Sequence, residues 1–335
     1  MRTIVGHHAA QRLLTREALA GQVSHAYLIS GPERIGKTTL ALEFARLLQC
    51  QGRATDDSEP CGVCNSCRKI AAGSHPDVRL VSRPADKRIM PVELVREVIH
   101  TASLSPSVGP WRVFIIPEIE RMAAASANAL LKTLEEPPEG VVLLLTSSDP
   151  EALLPTIISR CQLVPTQPPS TDEIRQALVE RWSVEPNRAD ELTALAQGRI
   201  GWAIEAAQRP ELAQERTELL ERLIALTSAS RDERLRVAGS LASDTDAARA
   251  VVELWLFWWR DVTLAACGAR HLASAGEMRT EAERQGRALG AEKAQEFLIA
   301  LVEAREVLEA NANPLLTIEA LLLNLPALPV SNARQ

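Results

Sequence analysis

The sequence predicts an α/β fold in its first half, a parallel sheet with helices on both faces, followed by an all-helical remainder. Two observations predict it. Over residues 1–165, short apolar runs alternate with helical patterns, and beyond Pro165 no convincing strand-like run occurs. A length of 335 residues suits two or three domains, and 46% hydrophobic with 24% charged residues is the balance of an ordinary globular chain.

The expected strands are Ala26–Ser30, Val78–Ser82, Val113–Ile116 and Val141–Thr146. They are mostly apolar rather than strictly alternating, which is how strands read when both sheet faces are covered. Helical stretches separate them: Thr38–Gln49, Val92–Thr101 and Ile119–Leu134. Pro165-Thr-Gln-Pro-Pro-Ser170 reads as a linker, because proline continues neither a helix nor a central strand. Ser170 followed by Glu173 is a capping-box signature, so a new helix starts there. Residues 172–208 read as a small helical domain and 211–325 as a longer one, with Phe297, Leu301, Ala304 and Leu308 on one helix face. Residues 330–335 are expected to fray.

The net charge is −6, so the isolated chain is expected to bind DNA poorly, since lysine and arginine drive most non-specific affinity. No apolar run approaches the ~20 residues of a membrane helix. The N-terminal residues lack the pattern of a signal peptide, and the cytoplasm is the expected compartment.

Gly31-Pro-Glu-Arg-Ile-Gly36-Lys37-Thr38 fits the phosphate-loop spacing, with a strand before it and a helix after it. The glycines let backbone N–H groups turn inward around phosphate oxygens, and the helix N-terminus adds partial positive charge. Lys37 is placed to reach β- and γ-phosphates, and the Thr38 hydroxyl, with Thr39 beside it, to meet Mg²⁺. Such a site also needs an acidic residue at the end of a neighbouring strand. After Val113–Ile116 the chain instead reads Pro117-Glu118, and proline offers a metal no oxygen. The reading is weak ATP binding without turnover; the alternative is a loop kept as a relic.

Cys50, Cys61, Cys64 and Cys67 form two C-x-x-C steps with one cysteine upstream. Four thiolates suit a closed, tetrahedral, structural Zn²⁺ site. An iron–sulfur cluster and a metal-free group of thiols are the rivals; the first lacks its usual C-x₃-C-P continuation. Elsewhere, ordinary explanations come first. Trp255, Trp258 and Trp259, with Phe257 between, are expected in a core or interface rather than as a base-stacking platform. His7, His8 and His75 read as scattered loop residues, and Lys87-Arg88 as solvated surface.

Several strings together resemble the clamp-loader branch of the AAA+ proteins: Ser24–Pro32, the cysteine cluster, Gly73–Val78, Asn128–Pro138 and Leu154–Cys161. The resemblance covers residues 4–165. It implies an AAA+ domain at 1–165 with an inserted zinc module at 50–67, a helical lid at 166–209 and a helical collar for oligomerisation at 210–335. It implies that Arg160, in Ser159-Arg160-Cys161, is an arginine finger acting on ATP held by a neighbouring subunit; the plain alternative is an arginine capping helix carbonyls. It also implies that Gly201 stands where an ATP-hydrolysing member carries a nucleotide-sensing arginine. The implied partners are the other loader subunits, with a sliding clamp and primed DNA reached through the assembly.

Overall fold

Successive residues of each strand point to opposite faces of a sheet, and here both faces are apolar. In the computed structural model, which describes residues 4–54, 58–84, 87, 89–269 and 278–328, the chain divides into two compact units. One comprises Met1–Ala177 with Gly198–Trp202, the other Leu178–Gln197 with Ala203–Gln335.

The first unit runs α1 (His8–Ala20), β1 (Ala26–Ser30), α2 (Lys37–Gln49), α3 (Asn65–Ala71), β2 (Val78–Leu80), α4 (Val92–Ala102), β3 (Arg112–Ile116), α5 (Ala124–Glu135), β4 (Val141–Ser147), α6 (Pro155–Ile158) and β5 (Gln162–Pro165). All neighbouring strands are parallel, in the order β2-β3-β4-β1-β5. Ala26 lies opposite Leu143 and Ser30 opposite Ser147. Tyr27, Ile29, Val113, Ile115, Val142 and Leu144 pack on one face against Leu14, Leu40 and Phe44 of α1 and α2. Leu28, Phe114, Ile116, Leu143 and Leu145 pack on the other against Val95, Val98, Leu130 and Leu134 of α4 and α5. The near-continuous apolar runs are thus the consequence of a sheet buried on both sides.

Three details differ from expectation. Strand β5 is an addition to the expected set: it is a four-residue edge strand whose Leu163 is half exposed and whose last residue is Pro165. An edge strand tolerates proline because no neighbour needs its N–H. The expected helix over Ile119–Leu134 is interrupted. A 3-10 turn at Ile119–Arg121 ends at Met122, which bridges Met90, and α5 begins only at Ala124. Strand β2 stops at Leu80, although Val81 still donates to the Ile115 carbonyl at 2.8 Å.

Helix α7 (Thr171–Trp182) starts behind the predicted capping box. Glu173 N–H donates to Ser170 Oγ (3.2 Å), while Glu173 Oε2 accepts from the Ser170 N–H (2.8 Å). Then follow α8 (Pro186–Ala196), α9 (Ile200–Gln208), α10 (Pro210–Ala225), α11 (Arg231–Leu241), α12 (Thr245–Ala266), α13 (Met278–Glu309, broken at Gly290) and α14 (Pro314–Asn324). Among the described residues no strand follows β5.

The core of the second unit gathers Trp255, Trp258 and Trp259 with Phe297, Leu301, Ala304 and Leu308, all buried. Trp255 and Trp259 meet the Phe297 ring edge-on at 5.7 and 4.7 Å, and Trp258 donates its indole N–H to Gln285 Oε1 at 3.1 Å. The tryptophans are therefore packing residues, as the apolar helix implied. The tail expected to fray at 330–335 lies outside the described residues.

Candidate functional site

The phosphate loop leaves the C-terminal end of β1 and runs straight into α2, so Gly31, Gly36, Lys37, Thr38 and Thr39 share one turn of chain. Three positive φ values shape it: Gly31 (152°), Arg34 (59°) and Gly36 (105°). Gly31 has a steric reason as well, since a Cβ there would stand 2.4 Å from Thr166 Oγ1 and 2.7 Å from its carbonyl oxygen. Four of the loop's carbonyls, those of Gly31, Pro32, Arg34 and Ile35, are engaged. Lys37 Nζ donates to Gly31 O and Pro32 O at 2.6 Å each, Gly201 N–H to Arg34 O at 2.8 Å, and His7 Nε2 lies 2.7 Å from Ile35 O. In a phosphate loop backbone N–H groups are the donors for an anion, and here the Gly31 N–H is already given to Ser147 O at 3.1 Å. Burial lowers the Lys37 pKa from its ordinary value, against the raising influence of Glu120, Glu33 and Glu118.

The residues after β3 make a poor metal seat. Pro117 contributes no side-chain oxygen, and Glu118, in the left-handed region (φ 52°), lies between two guanidinium groups. Its Oε2 is 3.4 Å from Arg121 Nε and 3.5 Å from Arg83 Nη2, and Arg121 also stands 3.6 Å from Glu33 of the loop. Glu120 is engaged by the Ser148 N–H (3.0 Å) and hydroxyl (2.5 Å). The loop fits a nucleotide's phosphates; the acidic half fits Mg²⁺ badly, because Pro117 offers no oxygen, Glu118 is paired with two arginines and Glu120 is engaged by Ser148. Gly201 leaves no room for a sensing side chain: a Cβ there would be 2.9 Å from the Arg34 oxygen.

The four cysteines converge. Their Sγ atoms all lie within 4.8 Å of one another, and tetrahedral Zn–S bonds of about 2.3 Å would place sulfurs about 3.8 Å apart. The donors of Cys61, Cys64 and Cys67 point N–H groups at the sulfurs of Cys50, Cys61 and Cys64, at 3.3, 3.3 and 3.4 Å. These contacts favour thiolate. The Cys64 and Val63 N–H groups pull Cys61 below the usual thiol range. At Cys64 burial pushes upward, but the N–H groups of Cys67 and Gln51 and the neighbouring thiols outweigh it, bringing it to about 6. Burial raises Cys67 to about 12, which a bound cation would reverse. Gly52 passes so close that a Cβ would sit 3.0 Å from Cys61 Sγ. The donor set is consistent with a structural zinc.

Arg160 follows α6 at the surface, on the same unit but away from the phosphate loop in sequence. Its Nη1 donates to Thr156 O (3.0 Å) and Ser159 Oγ (3.3 Å), and its Nη2 is 2.9 Å from Glu135 Oε1. Cys161 beside it has its thiol pushed up to about 12 by burial, as a packed hydrophobe would.

Sequence reading missed the long-range partners: His7 on Ile35, Gly201 on Arg34, Arg83 and Arg121 on Glu118, Glu135 on Arg160. No local pattern encodes them. Of the histidines, His7 and His75 lie in loops as expected and only His8, in α1, departs from expectation. His7 and His75 are buried, with the Asp77 N–H donating to His75 Nδ1 at 3.1 Å, and His8 opens α1 and pairs with Glu173 at 2.7 Å. Lys87 is exposed, while Arg88 lies outside the described residues.

A five-stranded parallel sheet in this order, with a phosphate loop off β1 and helices following it along the chain, defines a phosphate-loop module of the AAA+ class. Residues 6–170 match the family model described as DNA polymerase III, delta subunit. The chain is 36% identical over 202 residues to DNA polymerase III subunit tau of Escherichia coli, covering 59% of this chain and 31% of that protein. It is 34% identical over 211 residues to subunit delta′ of Bacillus subtilis, covering 63% and 62%. The chain thus spans less than two thirds of the length of these curated relatives. A solved gamma subunit-related protein of Thermotoga maritima superposes with a TM-score of 0.48 at 18% identity, over 95% of this chain and 98% of that one. The chain belongs to the DNA polymerase III delta, delta′ and gamma/tau family of clamp-loader subunits.

Proposed function

We propose that the chain is the delta-prime-type subunit of the clamp loader, completing a ring in which Arg160 serves ATP bound by a neighbour. Its parts would be the AAA+ domain at 1–165 with the zinc module at 50–67, a lid at 166–209 and a collar at 210–335. The partners would be gamma/tau and delta subunits in a hetero-oligomer, with the beta sliding clamp and primed DNA met through the complex. On this reading the chain is one component of a DNA-directed DNA polymerase assembly.

The observation that carries the proposal is the mismatch within the nucleotide site. The phosphate loop is intact, yet β3 ends in Pro117 and a Glu118 held between Arg83 and Arg121. A carboxylate so placed neither seats a metal nor turns an attacking water. The residues that remain, Gly31, Gly36, Lys37, Thr38 and Thr39, would hold phosphates through backbone N–H groups and one ammonium. Bound ATP with Mg²⁺ would supply the phosphoryl chemistry only in a subunit with a complete acidic half.

Arg160 suits the complementary task. A guanidinium is always charged and planar, so it stabilises the charge that develops on a transferring phosphoryl group. An arginine supplied in trans is worth on the order of 10³–10⁵ in rate. Zinc at Cys50, Cys61, Cys64 and Cys67 would be structural. Among the described residues no helix is long and apolar enough to cross a membrane.

The test is ATP turnover by the complex reconstituted with partner subunits, clamp and primed DNA. Arg160→Ala is expected to reduce turnover at the adjoining site at least a hundredfold while the complex still assembles. Unchanged turnover would remove the finger. A gamma/tau-like ATPase is the second reading, favoured by the complete phosphate-loop consensus and by the likeness to tau. It requires hydrolysis by the isolated chain, lost in Lys37→Ala.

A further inference from the structure

We infer that Glu135 is a positioning residue for Arg160: its carboxylate fixes the guanidinium in the orientation presented to the neighbouring subunit. This rests on the reading of Arg160 as a finger acting in trans.

Helix α5 ends at Glu135, and the turn after α6 brings Arg160 back beside that end. The guanidinium is held from two sides. Nη1 donates to Thr156 O at 3.0 Å and Ser159 Oγ at 3.3 Å, and Nη2 lies 2.9 Å from Glu135 Oε1. Both Nη1 hydrogens are thereby used within the chain, while Nε–H and Nη2–H are left to meet an anion. The Arg160 and Glu135 side chains are 34% and 48% exposed, so a neighbour can reach the pair.

At that exposure an ion pair contributes little to folding. Its value lies in order. A free arginine must surrender the freedom of a long side chain when it engages a phosphoryl group, whereas one already held makes that loss beforehand.

Glu135 is moreover ill placed for its own helix. The C-terminal end carries partial negative charge, where a carboxylate is unfavourable, and Glu136 follows immediately. Lys132, one turn earlier, offsets part of this. Helix stability therefore does not explain a glutamate at 135, whereas the Arg160 contact does. Glu136 is the natural control, because it carries the same charge at the next position and makes no ion pair with Arg160.

The test uses the reconstituted complex, with kcat and KM for ATP measured for Glu135→Gln, Glu135→Asp, Glu136→Gln, Arg160→Ala and the Glu135→Gln/Arg160→Ala double variant. Glu135→Gln is expected to lower kcat about three- to tenfold with KM within twofold of wild type. Glu135→Asp should recover part of the loss and Glu136→Gln should behave as wild type. On the Arg160→Ala background, Glu135→Gln should have no further effect, since residues acting through one another are non-additive. The thermal midpoint of the isolated Glu135→Gln chain should be unchanged or raised, because a carboxylate leaves a helix C-terminus.

If Arg160→Ala lowers turnover but Glu135→Gln leaves kcat unchanged or raises it, the positioning inference fails and the finger stands. If Arg160→Ala itself has no effect, the finger reading fails and takes this inference with it. A lowered thermal midpoint with turnover falling in step with lost assembly would assign Glu135 to folding, and overturn the inference likewise.

Discussion

Two buried charged residues show most clearly how single side chains hold this chain together. Asp77, almost wholly buried, accepts N–H groups from Ser107 (2.7 Å), Val108 (2.7 Å) and Gly109 (3.2 Å), with Arg112 Nη2 at 3.4 Å. It thereby fixes the loop that leads into β3 and so the position of Pro117 and Glu118. Burial pushes its pKa upward, but the three N–H groups and Arg112 outweigh it, and the net is below the ordinary 3.8. A depressed folded value means that stability is fully present above pH 3.8 and is lost as pH falls through the folded value. Asp77→Asn should cost about 3 kcal/mol at pH 7, because an amide NH₂ is forced toward N–H donors. It should also flatten the dependence of stability on pH below about 4, measured by urea unfolding across pH; an unchanged acid limb would contradict this role. Neither the loop partners nor Arg112 were legible in the sequence, since 30 or more residues separate Asp77 from all of them.

Arg234 makes the same point in the second unit. It is buried without a carboxylate and donates instead to the carbonyls of Leu226 (3.0 Å), Thr227 (3.2 Å), Leu322 (3.4 Å) and Leu325 (2.5 Å). Burial lowers its pKa, and the nearby Arg231 adds to the effect. One planar fork thus closes the ends of α10 and α14 onto α11. Arg234→Met should destabilise the chain by about 3 kcal/mol, as buried carbonyls lose their donors. Chemical unfolding reads this directly, and a loss below about 1 kcal/mol would show that the carbonyls find other partners.

At the scale of elements, legibility followed locality. The strands β1, β3 and β4 were readable because apolar runs flanked by turn residues have few other fates. The start of α7 was readable from Ser170 and Glu173 because a capping box lies within four residues. What failed was non-local: β5 is a strand only because β1 lends it hydrogen bonds, and α5 starts late because Met122 pairs with Met90 in an isolated bridge. The cysteine excursion is the opposite case, since its spacing alone announced the convergence of its sulfurs. It has little apolar residue of its own, so metal binding should be its folding energy. Metal analysis of the purified chain should find about one zinc, and Cys64→Ser should abolish it. Chelation should open residues 51–66 to protease while leaving the sheet's circular dichroism intact. Full occupancy in Cys64→Ser, or iron in place of zinc, would contradict the assignment.

Across the whole molecule, the phosphate loop and the cysteines were legible as motifs, whereas the state of the nucleotide site was only half so. Pro117 is visible in the sequence, but the pair of arginines that neutralises Glu118 and the closure of Gly201 onto Arg34 exist only once the chain has folded. Those three features support the proposed account, in which the chain would cradle phosphate without breaking ATP itself and, on the reading of Arg160 as a finger, would lend that charge to a chain that does. The purified chain alone is the most direct test. Incubated with ATP and Mg²⁺, it should release phosphate no faster than the Lys37→Ala variant does. Sustained release that disappears in Lys37→Ala would mean that Pro117 and Glu118 form a working site, and the account would fall.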